Sequence, residues 1–135
     1  MFSETFEPRF VDTDALGHIN NTALPIWFEG CRTPIFRWFT PDLDPKKWRI
    51  ILARYTIEFH AEIFYGEPVE IRTGIARVGG SSFDVYQEVW QRGHKCASGT
   101  TVLVHFNHST KKAEPLPDSI RLLMQNCVFQ PAESV

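Results

Sequence analysis

Residues 22–39, which read TALPIWFEGCRTPIFRWF, form an apolar segment whose periodicity decides the fold of this chain. Large apolar side chains recur at intervals of three and four residues, which is the spacing of one face of a helix. Ala23, Ile26 and Phe36 widen that face, so the segment predicts a helix that is buried on nearly all sides. The residues that define the face are Leu24, Trp27, Phe28, Cys31, Ile35, Trp38 and Phe39.

The start and the middle of this helix carry further signals. Asn20 or Asn21 is a suitable N-cap, because a short amide side chain accepts a backbone N–H of the first turn. Pro25 falls in the first turn, where the missing N–H is harmless. Pro34 removes the hydrogen bond to the carbonyl group of Gly30, so we expect a kink or a break there.

Strands are predicted both before and after the helix along the chain. Residues 54–63 alternate between apolar and polar side chains, which is typical of an antiparallel strand with one buried and one solvated face. Gly79-Gly80-Ser81-Ser82 separates two further runs and indicates a hairpin. The predicted strands are residues 5–11, 54–63, 69–78, 83–91 and 96–106, and residues 118–126 are a short helix capped by Asp118 or Ser119.

This order of elements favours the α+β class with an antiparallel sheet. A helix of 18 residues spans ~27 Å, and a strand of ten residues spans ~33 Å. One curved sheet can therefore lie along the whole helix and wrap it. The length of 135 residues suits a single domain covering residues 1–135.

Composition excludes several classes of protein. The chain is 43% hydrophobic and can fill a core, which excludes a disordered linker. Its 14 Lys and Arg residues face 16 Asp and Glu residues, and this balance disfavours a nucleic-acid partner. No apolar stretch approaches the ~20 residues that span a bilayer, and residues 1–9 lack the apolar core of a secretory signal. We expect neither a nucleic-acid nor a membrane partner.

The cysteine and histidine residues give no metal or redox signature. Cys31, Cys96 and Cys127 lie far apart and form no C-x-x-C pair. Lone thiols without an export signal fit the reducing cytoplasm. The histidines do not cluster with other ligand types at metal-binding spacing, so we expect no metal and no cofactor.

Three residues receive structural interpretations. Glu29 and Arg32 are spaced to form an ion pair on the helix surface. His60 lies on the polar side of its predicted strand, where it is expected to be solvated or to lie at an interface.

The polar loop before the helix is the most informative segment for function. It places Asp12 and Asp14 just upstream of a helix N-terminus, which carries free N–H groups and a partial positive charge. Such a site stabilises a developing anion, as acyl transfer requires. Gly17 allows a tight turn or a close approach to a ligand. Turn formation and capping are the structural alternative for both carboxylates.

The sequence FVDTDALGHINN of residues 10–21, followed by Trp27-Phe28-Glu29 and Arg32, resembles the signature of hot-dog thioesterases of the 4-hydroxybenzoyl-CoA thioesterase type. The strand of residues 54–63, the turn at 65–67, the hairpin at 78–83 and the Pro-x-Pro before the last helix match in order and spacing. The resemblance implies an antiparallel sheet wrapped around a long central helix, in a homodimer or homotetramer. It also implies that Asp14 is catalytic and that the backbone N–H near Asn21 polarises a thioester carbonyl group.

The activity implied by the resemblance is hydrolysis of an acyl-CoA thioester. Asp14 acts on the carbonyl carbon as a nucleophile or on water as a general base, and both routes stay open. A thiol leaving group has a pKa of ~8.5, so a general acid is not essential.

Substrate contacts are expected at two places. Near the loop these are Gly17, His18 and Leu24, where Leu24 replaces an aromatic residue found in many members. At the hairpin, Gly79, Gly80, Ser81 and Ser82 offer backbone N–H groups to CoA phosphates, with Arg77 as the nearest charge.

Two other functions remain as alternatives. A hot-dog hydratase or dehydratase would use His18 as its base. A non-catalytic module would only bind acyl-CoA or an acyl-carrier protein, although the intact Asp14 motif disfavours it. In each case the partner is an acyl thioester carried by CoA or by a carrier protein.

Overall fold

The computed structural model describes residues 1–131. Three helices and six strands follow one another along this part of the chain, and two short 3-10 turns occur at Phe10–Asp12 and Pro45–Lys47. In chain order the elements are β1 (Phe2–Phe6), α1 (Ala23–Gly30), α2 (Thr33–Phe39), β2 (Ile50–Phe59), β3 (Val69–Val78), β4 (Ser82–Gln91), β5 (His94–Asn107), β6 (Lys112–Ala113) and α3 (Asp118–Gln125).

The strands form one antiparallel sheet in the order β1-β3-β4-β5-β2, with β6 paired to the end of β5. Ile71 lies opposite Val89, and Val89 lies opposite Ala97. All three side chains are buried in one cluster with Trp27 and Phe28 of α1. The sheet therefore packs one face against the helical layer, and the predicted α+β arrangement is confirmed.

A second cluster fills the other half of the sheet. Ile35 of α2 packs there with Phe83, Leu103 and Met124, so α3 closes the end of the core. Polar contacts also join the layers, because the Gln87 side-chain amide donates a hydrogen bond to the carbonyl oxygen of Phe28 at 2.9 Å.

The helical layer consists of two helices in series. α1 ends at Gly30 and α2 begins at Thr33, so the break expected at Pro34 is confirmed, although residues 22–39 are not one continuous helix. Pro34 lies in the first turn of α2, where its missing N–H is tolerated. The backbone still turns between Glu29 and Arg32, since the Arg32 N–H donates to the Glu29 carbonyl oxygen at 3.1 Å. The expected ion pair is nevertheless absent from residues 1–131, because the Arg32 guanidinium lies in the core and donates to Gln87 and Thr101.

The helix caps differ from the sequence predictions. Thr22, rather than Asn20 or Asn21, is the N-cap of α1, and the Asn20 side-chain oxygen instead accepts the Thr22 N–H at 3.0 Å in a local turn. α3 begins after Pro117 without a side-chain cap, so the caps proposed at Asp118 or Ser119 are wrong.

Two strand predictions also change. β1 is Phe2–Phe6 rather than residues 5–11, because the chain turns at Arg9 to make the 3-10 turn. β2 ends at Phe59, and the expectation of a buried face on residues 54–63 is wrong: Tyr55 is 51% exposed and Phe59 is 53% exposed. The reason is that β2 is an edge strand with β5 on one side only.

None of the helices in residues 1–131 has the length and apolar character needed to cross a membrane.

Candidate active site

A cleft of about 610 Å³ opens where the N-terminus of α1 meets the chain leaving β2. The loop between β1 and α1 forms one wall, and residues 59–63 form another. Leu24 and Phe59 supply apolar surface beside the polar groups of Asp14 and Asn21. This combination suits a ligand that carries an acyl chain next to a polar carbonyl group.

The buried side chain of Asp12 stabilises the loop between β1 and α1. Its buried carboxylate accepts the Arg9 backbone N–H at 2.8 Å and the Arg9 guanidinium at 3.2 Å. Its carbonyl oxygen accepts the Asn20 N–H at 2.7 Å, which ties the two ends of the loop together. Burial acts to raise the pKa of the Asp12 carboxyl, but the hydrogen bonds and charge of Arg9 outweigh it, and the pKa is lowered. Asp12 is outside the cleft lining, as a turn residue should be.

Asp14 is held in a defined orientation at the edge of the cleft. Its Oδ1 atom accepts the backbone N–H groups of Leu16 at 2.7 Å and His18 at 3.1 Å, and its own N–H donates to the His18 carbonyl oxygen at 2.8 Å. Gly17 closes this turn with φ at +83°, a value that favours glycine. Within residues 1–131, Oδ2 of Asp14 accepts no hydrogen bond, which leaves one carboxylate oxygen available for chemistry.

The N-terminus of α1 offers one backbone donor to the same cleft. The N–H groups of Asn20, Thr22 and Ala23 all have acceptors. The N–H of Asn21 has none among the described residues. Asn21 lines the cleft together with Asp14, so the two groups to which the family resemblance gives catalytic roles lie in the same cleft.

His18 and Leu24 also line the cleft, whereas Gly17 lies at the exposed tip of the turn. The His18 backbone holds Asp14, while its imidazole Nε2 lies 3.5 Å from the Glu62 carboxylate and its ring packs edge-on against Phe64. His18 therefore positions Asp14 through its backbone and contributes a polar ring to the cleft wall.

Sequence reasoning missed His60 and Glu62, which both line the cleft. His60 Nε2 lies 2.9 Å from the Ser98 hydroxyl group. The alternating pattern predicted that the strand extends to residue 63. In the structure β2 ends at Phe59, and residues 60–63, which follow the strand, line the cleft. Among residues 1–131, no three His, Cys, Asp or Glu side chains are grouped so as to hold a metal ion.

The hairpin of residues 79–82 lies at the opposite end of the sheet. Ser82 is paired with Val104, near the Ile50 end of β2, whereas the cleft lies at the Phe59 end. Arg77 makes an ion pair with Asp84 at 2.9 Å. Within one chain, Arg77 and the hairpin therefore do not contribute to the cleft that contains Asp14.

The hydrogen bonds of Arg121 hold this hairpin in place. Its guanidinium donates to the carbonyl oxygens of Gly79 at 2.8 Å and Gly80 at 2.9 Å. The carbonyl groups therefore point to Arg121.

An antiparallel sheet wrapped around a helical layer is the architecture of the hot-dog class of proteins. The family model of the thioesterase-like superfamily matches residues 8–123, and the chain belongs to this superfamily.

The chain is also similar to individual proteins of known structure or sequence. A protein described as a predicted thioesterase from Bacillus stearothermophilus is 44% identical, with a TM-score of 0.93 over 97% of this chain and 98% of that chain. A thioesterase from Thermus thermophilus, complexed with coenzyme A and zinc, is 28% identical, with a TM-score of 0.81 over 91% of this chain and 96% of that chain. The uncharacterized protein YsmA of Bacillus subtilis is 27% identical over 106 residues, which cover 78% of this chain and 72% of YsmA.

Proposed function

We propose that this protein is an acyl-CoA thioesterase that converts a thioester to a free carboxylic acid and CoA. The observation that supports the proposal is that the Asp14 carboxylate and the Asn21 backbone N–H lie in the same cleft at the start of α1. An oriented carboxylate and an unused donor at a helix N-terminus are the two groups that thioester hydrolysis needs.

The substrate carbonyl oxygen accepts the N–H of Asn21, so negative charge that develops on this oxygen is stabilised by the donor and the helix N-terminus. In one route, Asp14 takes a proton from water while the water oxygen adds to the carbonyl carbon. In the other, an Asp14 oxygen adds to that carbon, and water later hydrolyses the mixed anhydride. In both, the carbon–sulfur bond breaks and the CoA thiolate leaves with the electron pair.

A hydratase is the second candidate, and one contact favours it. His18 Nε2 and the Glu62 carboxylate lie 3.5 Å apart in the cleft, and a histidine with a carboxylate can add water to an enoyl thioester. A non-catalytic module that binds acyl-CoA or an acyl-carrier protein would need neither the Asp14 carboxylate with the Asn21 N–H nor the His18 ring with the Glu62 carboxylate.

The working form is proposed to be a homodimer, or a homotetramer built from such dimers. β2 leaves one backbone edge open, and its exposed apolar residues run from Ile51 to Phe59. We place the two-fold axis at Tyr55, near the middle of this exposed stretch, and this choice would bring Ile51 of one copy opposite Phe59 of the other. The hairpin end of each copy then approaches the Asp14 cleft of its partner, which supports a role for residues 77–82 in binding CoA phosphates.

The three unpaired, buried thiols favour the cytoplasm as the location.

A panel of short, medium and aromatic acyl-CoAs tests the activity, with released thiol as the readout and the Asp14→Asn variant as the matched blank. We expect thiol release from at least one substrate by the wild type alone. Hydration of an enoyl-CoA without thiol release would instead identify a hydratase, and binding without turnover would identify a carrier module. Comparison of acyl-CoA with an acyl-carrier-protein thioester identifies the carrier.

A further inference from the structure

The chain that follows β2 and lines the cleft is held at both of its ends. We call residues 60–64 the wall segment. Its first two N–H groups donate to the carbonyl oxygen of Cys96 at 2.8 and 3.0 Å, which joins its start to the backbone of β5. Its end, at Phe64, is held by the side chain of Gln91, the last residue of β4. The position of this end therefore depends on one side-chain amide.

The Gln91 amide bonds to Phe64 as a neighbouring strand would. Gln91 is 4% exposed. Its Oε1 atom accepts the Phe64 N–H at 2.9 Å, and its Nε2 atom donates to the carbonyl oxygens of Phe64 at 2.9 Å and Glu67 at 3.2 Å. Backbone groups that lose their partners away from water are costly, so these three bonds fix Phe64 in place.

The wall segment is also joined to the loop that carries Asp14. The Ile63 carbonyl oxygen accepts the Ile19 N–H at 2.9 Å, and His18 forms an antiparallel bridge with Phe64. Successive residues of an extended chain bond to opposite sides. The wall segment therefore lies between the Gln91 amide on one side and the loop on the other.

His18 connects the wall segment to Asp14. Its N–H donates to Oδ1 of Asp14 at 3.1 Å, and its carbonyl oxygen accepts the Asp14 N–H at 2.8 Å. A displacement of Phe64 would shift His18 and, with it, both of these contacts. Hydrogen bonds and backbone pairing thus connect Gln91 to the orientation of the Asp14 carboxylate.

The turn between β4 and β5 adds a second contact to Phe64. Arg92 and Gly93 have φ values of +55° and +74°, as a two-residue hairpin turn of this kind requires. Arginine is uncommon in this backbone region. Its guanidinium lies 4.4 Å from the centre of the Phe64 ring and donates to the Glu67 carboxylate at 2.8 Å. Two consecutive residues therefore hold Phe64, one at its backbone and one at its ring.

We propose that Gln91 is a positioning residue for Asp14: its amide fixes the wall segment, and the wall segment fixes the loop that orients the Asp14 carboxylate. The inference rests on the proposed function, in which Asp14 acts on a thioester. Gln91 is outside the cleft lining, so it acts through Phe64 and His18 and not on the substrate. Loss of its donor groups should therefore lower kcat more than it changes KM.

Gln91→Glu tests the proposal, because it keeps the shape of the side chain but replaces the donor by an acceptor that faces two carbonyl oxygens. We expect kcat for acyl-CoA hydrolysis to fall about tenfold or more, as misplacement of a reacting group does, with a smaller change in KM. Val85→Ala is the matched control, because it removes buried apolar volume from the other core cluster. An equal loss of kcat in both variants, at equal loss of Tm, would overturn the proposal.

The pH dependence of Gln91→Glu provides a second readout. A protonated carboxyl group regains one donor, so kcat relative to wild type should recover as the pH falls from about 8 to about 5. Gln125→Glu adds a carboxyl group at an exposed site of α3 and should show a constant ratio. A constant ratio for Gln91→Glu would contradict the donor role. The ionisable groups on the surrounding segments are present in both proteins and are His18, Glu62, Glu67, Arg92, His94 and Cys96.

Hydrogen exchange tests the same connection without any substrate. In Gln91→Glu at neutral pH, the amides of Phe64, His18 and Ile19 should exchange at least about tenfold faster than in wild type, while that of Ile75 in β3 should not change. Faster exchange at Phe64 alone would show that the wall segment does not hold the loop. Unchanged exchange at all three would show that the buried Ile63 side chain is a sufficient anchor, and either result overturns the proposal. A wild type without thioesterase activity would refute the proposed function, whereas the exchange rates would still decide whether Gln91 holds the Asp14 loop.

Discussion

Phe28 packs directly on the bare backbone of Gly99. A Cβ atom at position 99 would lie 2.8 Å from Cε2 of Phe28 and 3.2 Å from the carbonyl oxygen of Thr56. This close approach sets the distance between α1 and β5, and α1 carries the Asn21 N–H at its start. The spacing of the core and the position of the candidate oxyanion donor are therefore linked.

Gly99→Ala should consequently lower both stability and activity. Overpacking at such a contact costs roughly 1–3 kcal/mol, and displacement of α1 would move Asn21 relative to Asp14. Thermal denaturation and kcat measure the two effects. Gly30→Ala is the control, because a Cβ at position 30 meets no atom within 4 Å. A fully stable and active Gly99→Ala protein would show that α1 does not need this contact.

Asp12→Asn should destabilise the protein without abolishing turnover. Asn keeps the shape of the side chain but loses the charge-assisted hydrogen bonds to Arg9, which amounts to roughly 1–3 kcal/mol. Calorimetry together with a kinetic assay checks this separation. A large loss of kcat at unchanged Tm would contradict this prediction and show that Asp12 takes part in catalysis.

The same residue predicts a dependence of stability on pH. Because the pKa of the folded Asp12 lies below its ordinary value of 3.8, its stabilisation is present above that value and is lost as the pH falls through the folded pKa. The Tm difference between wild type and Asp12→Asn should therefore be largest near neutral pH and shrink below about pH 4. A constant difference across this range would contradict the assignment.

Asp14→Asn should lower kcat for thioester hydrolysis by at least about a hundredfold, since acid–base assistance contributes 10²–10⁴-fold. The loop should still fold, because the side-chain oxygen of the introduced asparagine can accept the N–H groups of Leu16 and His18 as Oδ1 does now. Steady-state kinetics and Tm are the two measurements. Near-normal kcat in this variant would mean that another group carries the chemistry.

Arg77→Ala should raise KM for acyl-CoA and leave kcat almost unchanged, if the hairpin of one copy binds the CoA phosphates at the cleft of the other. A thioester of N-acetylcysteamine, which lacks the phosphates, is the control and should be hydrolysed equally by both proteins. An equal loss on both substrates would indicate a structural defect caused by losing the ion pair with Asp84.

The native protein should react slowly with thiol reagents. Cys31, Cys96 and Cys127 are all buried, and burial together with the nearby Glu4 carboxylate raises the pKa of the Cys31 thiol to about 12. A disulfide reagent should titrate three thiols only after denaturation, which also makes the thiol-release assay usable. Rapid reaction of the folded protein would show that the core opens readily.

Much of the fold follows from local periodicity. The strand at residues 69–78 coincides with β3, the glycine–serine turn joins β3 to β4, and Pro34 marks the helix break. These features depend on neighbours within a few residues of one another, such as a missing N–H or an alternating apolar face, so the chain encodes them locally. The catalytic interpretation of the polar loop depends instead on the resemblance to hot-dog thioesterases, which no local rule supplies, and both Asp14 and Asn21 line one cleft in the structure.

Strand order, in contrast, is decided only by the tertiary structure. The alternation in residues 54–63 indicates an apolar face but does not say that β2 is an edge, which is why Tyr55 and Phe59 are exposed and residues 60–63 line the cleft. The burial of Arg32 without an anion among the described residues and the distance between the hairpin and Asp14 have the same origin. A sequence specifies which side chains avoid water, whereas the packing of distant segments determines what covers them and which ones remain for a partner.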